Sequence, residues 1–408
     1  MWFFYIFLFS VILLGSFKLG PFSIRVYMVL IMMGYLLLSR KKVNYQISYQ
    51  FMKVFLLYII VTGLVLISIG EFQDYDYINL CLAFYLPCFV TVAAINRFID
   101  SKHELIQLMW FLVVLIFINC IVTQLQFNGF HLGKVIAMAL TTSMDVEATI
   151  LYDNEIDPSL LMGEGLPIGI FGFVFSNANY SAVFGILALF LYDYYNRNKY
   201  IQSFCLFVLG LCIYNCYMIQ ERTAFFGIIA ASVFILFKNI ESKNKRIVFI
   251  CIFVIMLIVL FPLFWNADSL GRLVEFNLKE DTRNNVWNIC YYFLSENFLT
   301  GGPVAFSKLS EIAPHNYFLN ALITSGIIGG SIAIYLYIIS FIKAAKYTLK
   351  CKSNYTRIVA SSVCIYALGS FFHNASIISG DTLFFIVYAI MLKTYLINHD
   401  SENTMLYR

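Results

Sequence analysis

Charge is what this chain has least of: Asp, Glu, Lys and Arg supply 12% of its 408 residues, against 61% hydrophobic and 18% aromatic. So few ionisable groups exclude a solvated, disordered polymer. The formal net charge of +4 sits in short scattered clusters, which excludes the dense basic surface of a nucleic-acid binder. There are only 5 histidines, so each one's position is informative. A disulfide or metal framework is missing as well. Of the 10 cysteines, most, such as Cys81, Cys88, Cys205, Cys212 and Cys251, lie inside apolar runs without ligand spacing and read as small buried hydrophobes. No internal repeat or separate soluble domain is visible.

What the chain has is oil, with a mean hydropathy of +0.80. Apolar runs begin near Met1, Phe22, Met52, Ile78, Leu105, Phe171, Ile201, Thr223, Ile247, Tyr317, Ile358 and Thr382. At roughly 20 residues per crossing these make about twelve spans. Only helices and closed barrels satisfy every backbone group inside lipid, and continuous rather than alternating runs select helices. The expected fold is therefore an all-α polytopic integral membrane protein, one transmembrane domain over residues 1–408.

Alternate connections carry the cations: Arg40-Lys41-Lys42, Arg97 with Lys102, Arg197 with Lys199, Lys238 to Arg246, and Lys343 to Arg357. The positive-inside rule puts these, and both termini, in the cytoplasm. Met1 to Gly15 lacks a basic leader and a small-residue cleavage site, so it reads as a retained span. The outer side then receives Glu71 to Tyr77 and two large loops, about 124–166 and 266–316. Within the second, Asp281 to Leu299 carries Val286, Ile289, Cys290, Phe293 and Leu294 at helical spacing, which predicts an interfacial amphipathic helix that Gly301-Gly302-Pro303 ends.

Four outer patterns could carry chemistry. Glu221-Arg222-Thr223 opens a span at the membrane–water boundary, where a guanidinium faces protein or water rather than lipid. Arg283, in Thr282-Arg283-Asn284-Asn285-Val286-Trp287, sits near a helix start and offers a planar fork suited to phosphate oxygens, and Arg272 lies in the same loop. His315-Asn316 stands where that loop meets a span containing Gly326, Gly329 and Gly330; an imidazole there can take a proton from a hydroxyl. Asn177 and Asn179, leading out of the first loop, can hydrogen-bond a sugar or cap a helix. His131 and His373 are also outer, with fewer polar neighbours. His103 and His399 fall on the cytoplasmic side.

Taken together, the Gly172 to Asn179 segment, the Arg222-Thr223-Ala224 span start, Arg283 with Trp287, Gly301-Gly302, and His315-Asn316 before the glycine-bearing helix resemble the O-antigen polymerase and O-antigen ligase superfamily. Order and spacing match over roughly Gly169 to Gly330; outside it the likeness is one of hydropathy and span number. The resemblance implies a GT-C-like glycosyltransferase at the periplasmic face of the bacterial inner membrane. Its donors and acceptors would be glycans on undecaprenyl diphosphate. Arg222 and Arg283 would hold the diphosphate and His315 would assist the incoming hydroxyl; by position, Arg272, Asn177, Asn179, Glu221 and Asn316 are further candidate substrate contacts. No cofactor or metal is implied; a chain-length regulator is a candidate partner.

Within that family the sparse basic residues of the second loop favour a polymerase, joining lipid-linked repeat units. A ligase, handing the polymer to phosphate-rich lipid A-core, would suit a more basic loop. Asp74-Tyr75-Asp76 raises the alternative of a cation site, although a third acidic ligand is missing nearby. A lipid-linked-oligosaccharide flippase ranks behind both enzymes, because ionisable groups gather at span ends rather than within spans.

Overall fold

The computed structural model describes residues 1–14, 17–19, 22–38, 46–141, 167–171, 174–219, 221–240, 282–310, 312–372 and 376–406. The fold is helical apart from one two-residue antiparallel pair, β1 (Lys18–Leu19) with β2 (Phe22–Ser23). In chain order the helices are α1 (Trp2–Leu13), α2 (Ile24–Leu38), α3 (Gln46–Ser68), α4 (Tyr77–Leu80), α5 (Leu86–Phe98), α6 (Lys102–Phe127), α7 (His131–Thr141), α8 (Val174–Gly185), α9 (Ala188–Tyr194), α10 (Lys199–Met218), α11 (Arg222–Asn239), α12 (Thr282–Asn297), α13 (Pro303–Ser307), α14 (Tyr317–Lys350), α15 (Asn354–Phe371) and α16 (Thr382–Leu406).

Among the described residues, 7 helices are long and apolar enough to cross a membrane, and Trp2–Leu13, Ile24–Leu38 and Thr382–Asn398 are shorter apolar helices. The expected spans other than the one near Ile247, which lies outside the described residues, each coincide with a helix or a joined pair of helices. The remaining expected spans correspond to these shorter apolar helices, to Asn354–Phe371 and to the run near Ile247. Large apolar side chains stay exposed on the outside of the bundle, Leu37 at 79%, Leu64 at 62% and Ile67 at 59% among them, as a lipid-facing belt requires. This is a polytopic membrane protein.

Local chemistry sets the helix starts. Ser101 caps α6 in a reciprocal box with Glu104, Asn198 caps α10, Asn316 caps α14 and Ser353 caps α15. Between α4 and α5 the chain makes a turn of π-helix, Cys81–Tyr85. Pro87, at the start of α5, has no N–H to return to the carbonyl four residues back, and the wider register absorbs that missing bond.

Of the first expected loop, about 124–166, residues 142–166 lie outside the described part. Gln124 to Phe127 complete α6, and α7 folds back so closely that a Cβ on Gly133 would collide with the backbone of Leu125 and Gln126. The second contains the expected helix, α12. Its Val286, Cys290, Phe293 and Leu294 pack with Phe306 of α13 and Leu319 and Ile323 of α14. Burial pushes the Cys290 thiol up to about 11, as expected of an inert packing cysteine.

Candidate functional site

Two clearly different ends can be told apart on the bundle. At one, the Lys102 ammonium lies 5.3 Å and 4.7 Å from the ring centres of Tyr194 and Tyr355, Lys393 pairs with Asp100 at 2.9 Å, and Tyr347 stacks on Tyr395 at 4.5 Å. Arg97, Lys102, Lys199, Lys350 and Asn354 all flank helix termini here. At the other end α14 begins and α15 finishes, their rings meeting at Phe318 and Phe371, 5.3 Å apart. Helix α11 runs antiparallel to α15, with Gly227 against Ile365, so Arg222 at the start of α11 is level with the finish of α15. Arg222 and His315 therefore lie at the same end of the bundle, opposite the lysine-bearing connections.

His315 is one of two non-glycine residues with positive φ among those described, at +47°. That left-handed backbone is disfavoured for a residue with a Cβ and persists only where the surroundings impose it. Two neighbours impose it. The Asn316 side chain accepts hydrogen bonds from the amides of Phe318 (3.0 Å) and Leu319 (3.1 Å), fixing the entry to α14. The indole of Trp287 donates to the Pro314 carbonyl at 2.8 Å, fixing the approach. Arg283 falls in the first turn of α12, one turn before Trp287, with its side chain outside the described part. Arg272 and His373 lie outside the described residues.

Below His315, α14 is broken. Ser325 and Gly326 leave helical geometry, Gly326 at φ +59°, and the Leu299 carbonyl occupies the space a Cβ there would need. Into the break dock residues 298–302: the Gly302 amide donates to the Ile323 carbonyl and the Ile327 amide to the Phe298 carbonyl, both at 2.8 Å. The Gly301-Gly302 pair is required here because Ile323 and Leu322 carbonyls press against Gly301. Glu71 completes the assembly, its carboxylate accepting from the amides of Val304 (2.9 Å) and Ala305 (2.8 Å) at the start of α13. Asp74 and Asp76 are exposed, Asp76 in a left-handed turn. Among the described residues no group of three or more His, Cys, Asp or Glu is placed to hold a metal.

Arg222 occupies the first turn of α11, where the helix dipole repels a cation. Glu221 precedes it, in extended backbone, and accepts from the Thr223 hydroxyl at 3.3 Å.

The asparagines expected to touch substrate are occupied elsewhere. Asn177 is fully buried: its Oδ1 accepts from Asn119 (2.7 Å) and Asn215 (3.1 Å), and its amide donates to Thr123 and to the Pro167 carbonyl, both at 3.1 Å. Asn119 in turn accepts from the Ile170 amide at 2.9 Å, and Gln126 exchanges two hydrogen bonds with the backbone of Gly169. This network clamps the chain where it returns from the first loop. Asn179 is 2% exposed and turned toward Gly369. Asn316 is the cap of α14. These residues shape the His315-bearing end of the bundle from within.

A second polar cluster at the same end escaped the sequence reading. Arg25, in the first turn of α2, has its guanidinium carbon 5.9 Å from the centre of the Phe84 ring. Facing it are Asp381, Tyr180 and Cys88. The Tyr366 hydroxyl donates to one Asp381 oxygen at 2.7 Å and the Leu383 amide to the other at 3.0 Å. Burial pushes the Asp381 carboxyl above the usual range, against the opposing pull of Tyr366, the Leu383 amide and Arg25. The signal was present: a lone arginine and a lone aspartate each open an apolar run.

Compared with models of known protein families and with curated protein sequences, the chain matches none.

Proposed function

We propose that this protein is an O-antigen polymerase: a GT-C-type glycosyltransferase with about twelve spans that joins undecaprenyl-diphosphate-linked oligosaccharide units at the periplasmic face of the bacterial inner membrane. The observation that carries the reading is His315, strained at φ +47° and locked from both sides, at the same end of the bundle as Arg222 and tied through Pro314 to the helix whose first turn holds Arg283. Transfer from a lipid diphosphate expels an anion that is already a good leaving group. The protein must then supply fixed positive charge near it and a base for the attacking sugar hydroxyl. Arg222 and Arg283 fill the first role and His315 the second. The hydroxyl oxygen attacks the anomeric carbon from the face opposite the diphosphate, so configuration inverts; the hydroxyl proton passes to His315 and the diphosphate departs on its lipid.

The test is the lipopolysaccharide ladder of a deletion strain carrying wild type, Arg222→Ala, Arg283→Ala or His315→Ala. Polymerase loss leaves core bearing a single repeat, with rate falling by about 10² to 10³ for each removed donor. Bare core with lipid-linked polymer accumulating would instead identify a ligase, and undiminished ladders in all three variants would remove the site.

A further inference from the structure

The break in α14 faces a group of buried hydroxyls. Tyr58 and Thr62 stand one turn apart on α3, and both are fully buried. The hydroxyls of Thr62, of Tyr85 in the π-helical turn and of Ser325 in the break stand around that of Tyr58. Yet among the described residues neither the Tyr58 nor the Thr62 hydroxyl has a hydrogen-bond partner. Buried polar atoms are ordinarily paired with protein, water or an ion, so two bare ones side by side mark a place for a ligand. Single π-turns also concentrate at functional sites.

The chemistry of the four oxygens narrows the ligand. Tyr85 donates its proton to the Ile378 carbonyl at 2.7 Å and Ser325 donates to the Ala321 carbonyl at 3.2 Å, so toward Tyr58 both offer lone pairs only. That disfavours an anion, which needs donors. Among the described residues no carboxylate joins the groups that face Tyr58, as a divalent ion would require. A negative bias comes from the backbone instead: the first half of α14, Tyr317 to Thr324, ends here, with the carbonyl end of its dipole at Ser325. Gly329 makes room for two of the oxygens, since a Cβ there would lie 2.6 Å from Ser325 Oγ and 3.3 Å from Thr62 Oγ1.

Neutral oxygens turned toward one point by interrupted helices inside a bilayer suit an alkali cation, whose hydration shell they can replace. We propose that the hydroxyls of Tyr58, Thr62, Tyr85 and Ser325 bind a single alkali-metal cation at the interruption of α14. The ion joins α3, the π-helical turn and the middle of α14, and so braces the half-helix that follows His315-Asn316. The inference goes beyond the polymerase reading and stands without it.

The test needs no turnover. Full-length protein in detergent is melted in sodium, potassium or choline chloride at equal ionic strength. Wild type should melt several degrees higher in sodium, at about 100 times the half-saturating concentration, than in choline. Equilibrium dialysis should leave it with one equivalent of radioactive sodium. Thr62→Val keeps the side-chain shape and removes a bare hydroxyl, so it should melt at or above wild type in choline and below it in sodium. Tyr58→Phe should cross over in the same way, which covers the case in which Thr62→Val fails to fold. Potassium as effective as sodium makes the site unselective among alkali ions and leaves the assignment standing. A difference between wild type and variant that is the same in sodium and in choline means that the hydroxyls hold water only, and overturns the proposal. Equal melting of wild type in the two salts overturns it as well. A normal ladder in His315→Ala would sink the polymerase reading while leaving these melting curves as they are.

Discussion

Trp287 and Pro314 are joined by a 2.8 Å hydrogen bond from indole N–H to backbone carbonyl, so the residue before His315 is held by a helix that begins in the preceding loop. Trp287→Phe keeps most of the packing and removes that bond, at about 1 kcal/mol. Expected is a folded protein with a small loss of thermal stability and a disproportionate loss of polymer length. Equal activity at equal expression would show that the entry to α14 holds His315 without help from Trp287.

Gly326 admits no side chain. Its φ of +59° costs an L-residue roughly 1–2 kcal/mol, and the Leu299 carbonyl fills the Cβ position. Gly326→Ala should lower the melting temperature, whereas Gly210→Ala, in open space on α10, should leave it unchanged or raise it. Thermal unfolding in detergent compares the two.

Asn119→Ala removes a donor to Asn177 and the acceptor of the Ile170 amide. Each buried polar group left unsatisfied costs about 1–3 kcal/mol. The expected signature is lost stability together with faster proteolysis of the returning first loop. Protease resistance matching wild type would mean that the clamp is dispensable.

The folded protein holds the Asp381 proton more tightly than the unfolded chain does. Stability is therefore greatest below the usual carboxylate range and declines as pH climbs from that range to the raised value. Asp381→Asn should flatten the decline, leaving the variant relatively more stable at about pH 8 than at about pH 4. Parallel melting curves for the two proteins across that interval would contradict the burial argument.

If fixed arginines alone neutralise the leaving diphosphate, EDTA should leave glycan transfer by washed membranes unaltered. Activity abolished by EDTA and restored by magnesium would revive Asp74 and Asp76 as ligands.

Hydropathy placed the helices well, because one physical demand, hydrogen-bonded backbone in lipid, dominates the whole chain. The amphipathic repeat from Val286 to Leu294 was equally readable and corresponds to the buried face of α12. What the sequence could not display is whom a polar side chain meets. Asn177 stands at a span mouth in the sequence, yet its partners Asn119 and Asn215 come from α6 and α10, long separations that no local pattern encodes. A polar stripe at Asn119, Thr123 and Gln126 was the available hint, one helix face repeating at i, i+4 and i+7. That Arg25 and Asp381 meet stayed hidden for the same reason, since they belong to opposite ends of the chain.

The interruption of α14 has a consequence for biogenesis. Its carbonyl at Ile323 and amide at Ile327 are answered by Gly302 and Phe298, which the ribosome makes earlier. A nascent span reaching the bilayer without that strap would carry bare peptide groups into hydrocarbon. The stretch from Phe298 to Gly302 thus acts as an intramolecular chaperone for the helix that follows, and lengthening the tether between them should raise the fraction of chains cleared by membrane quality control.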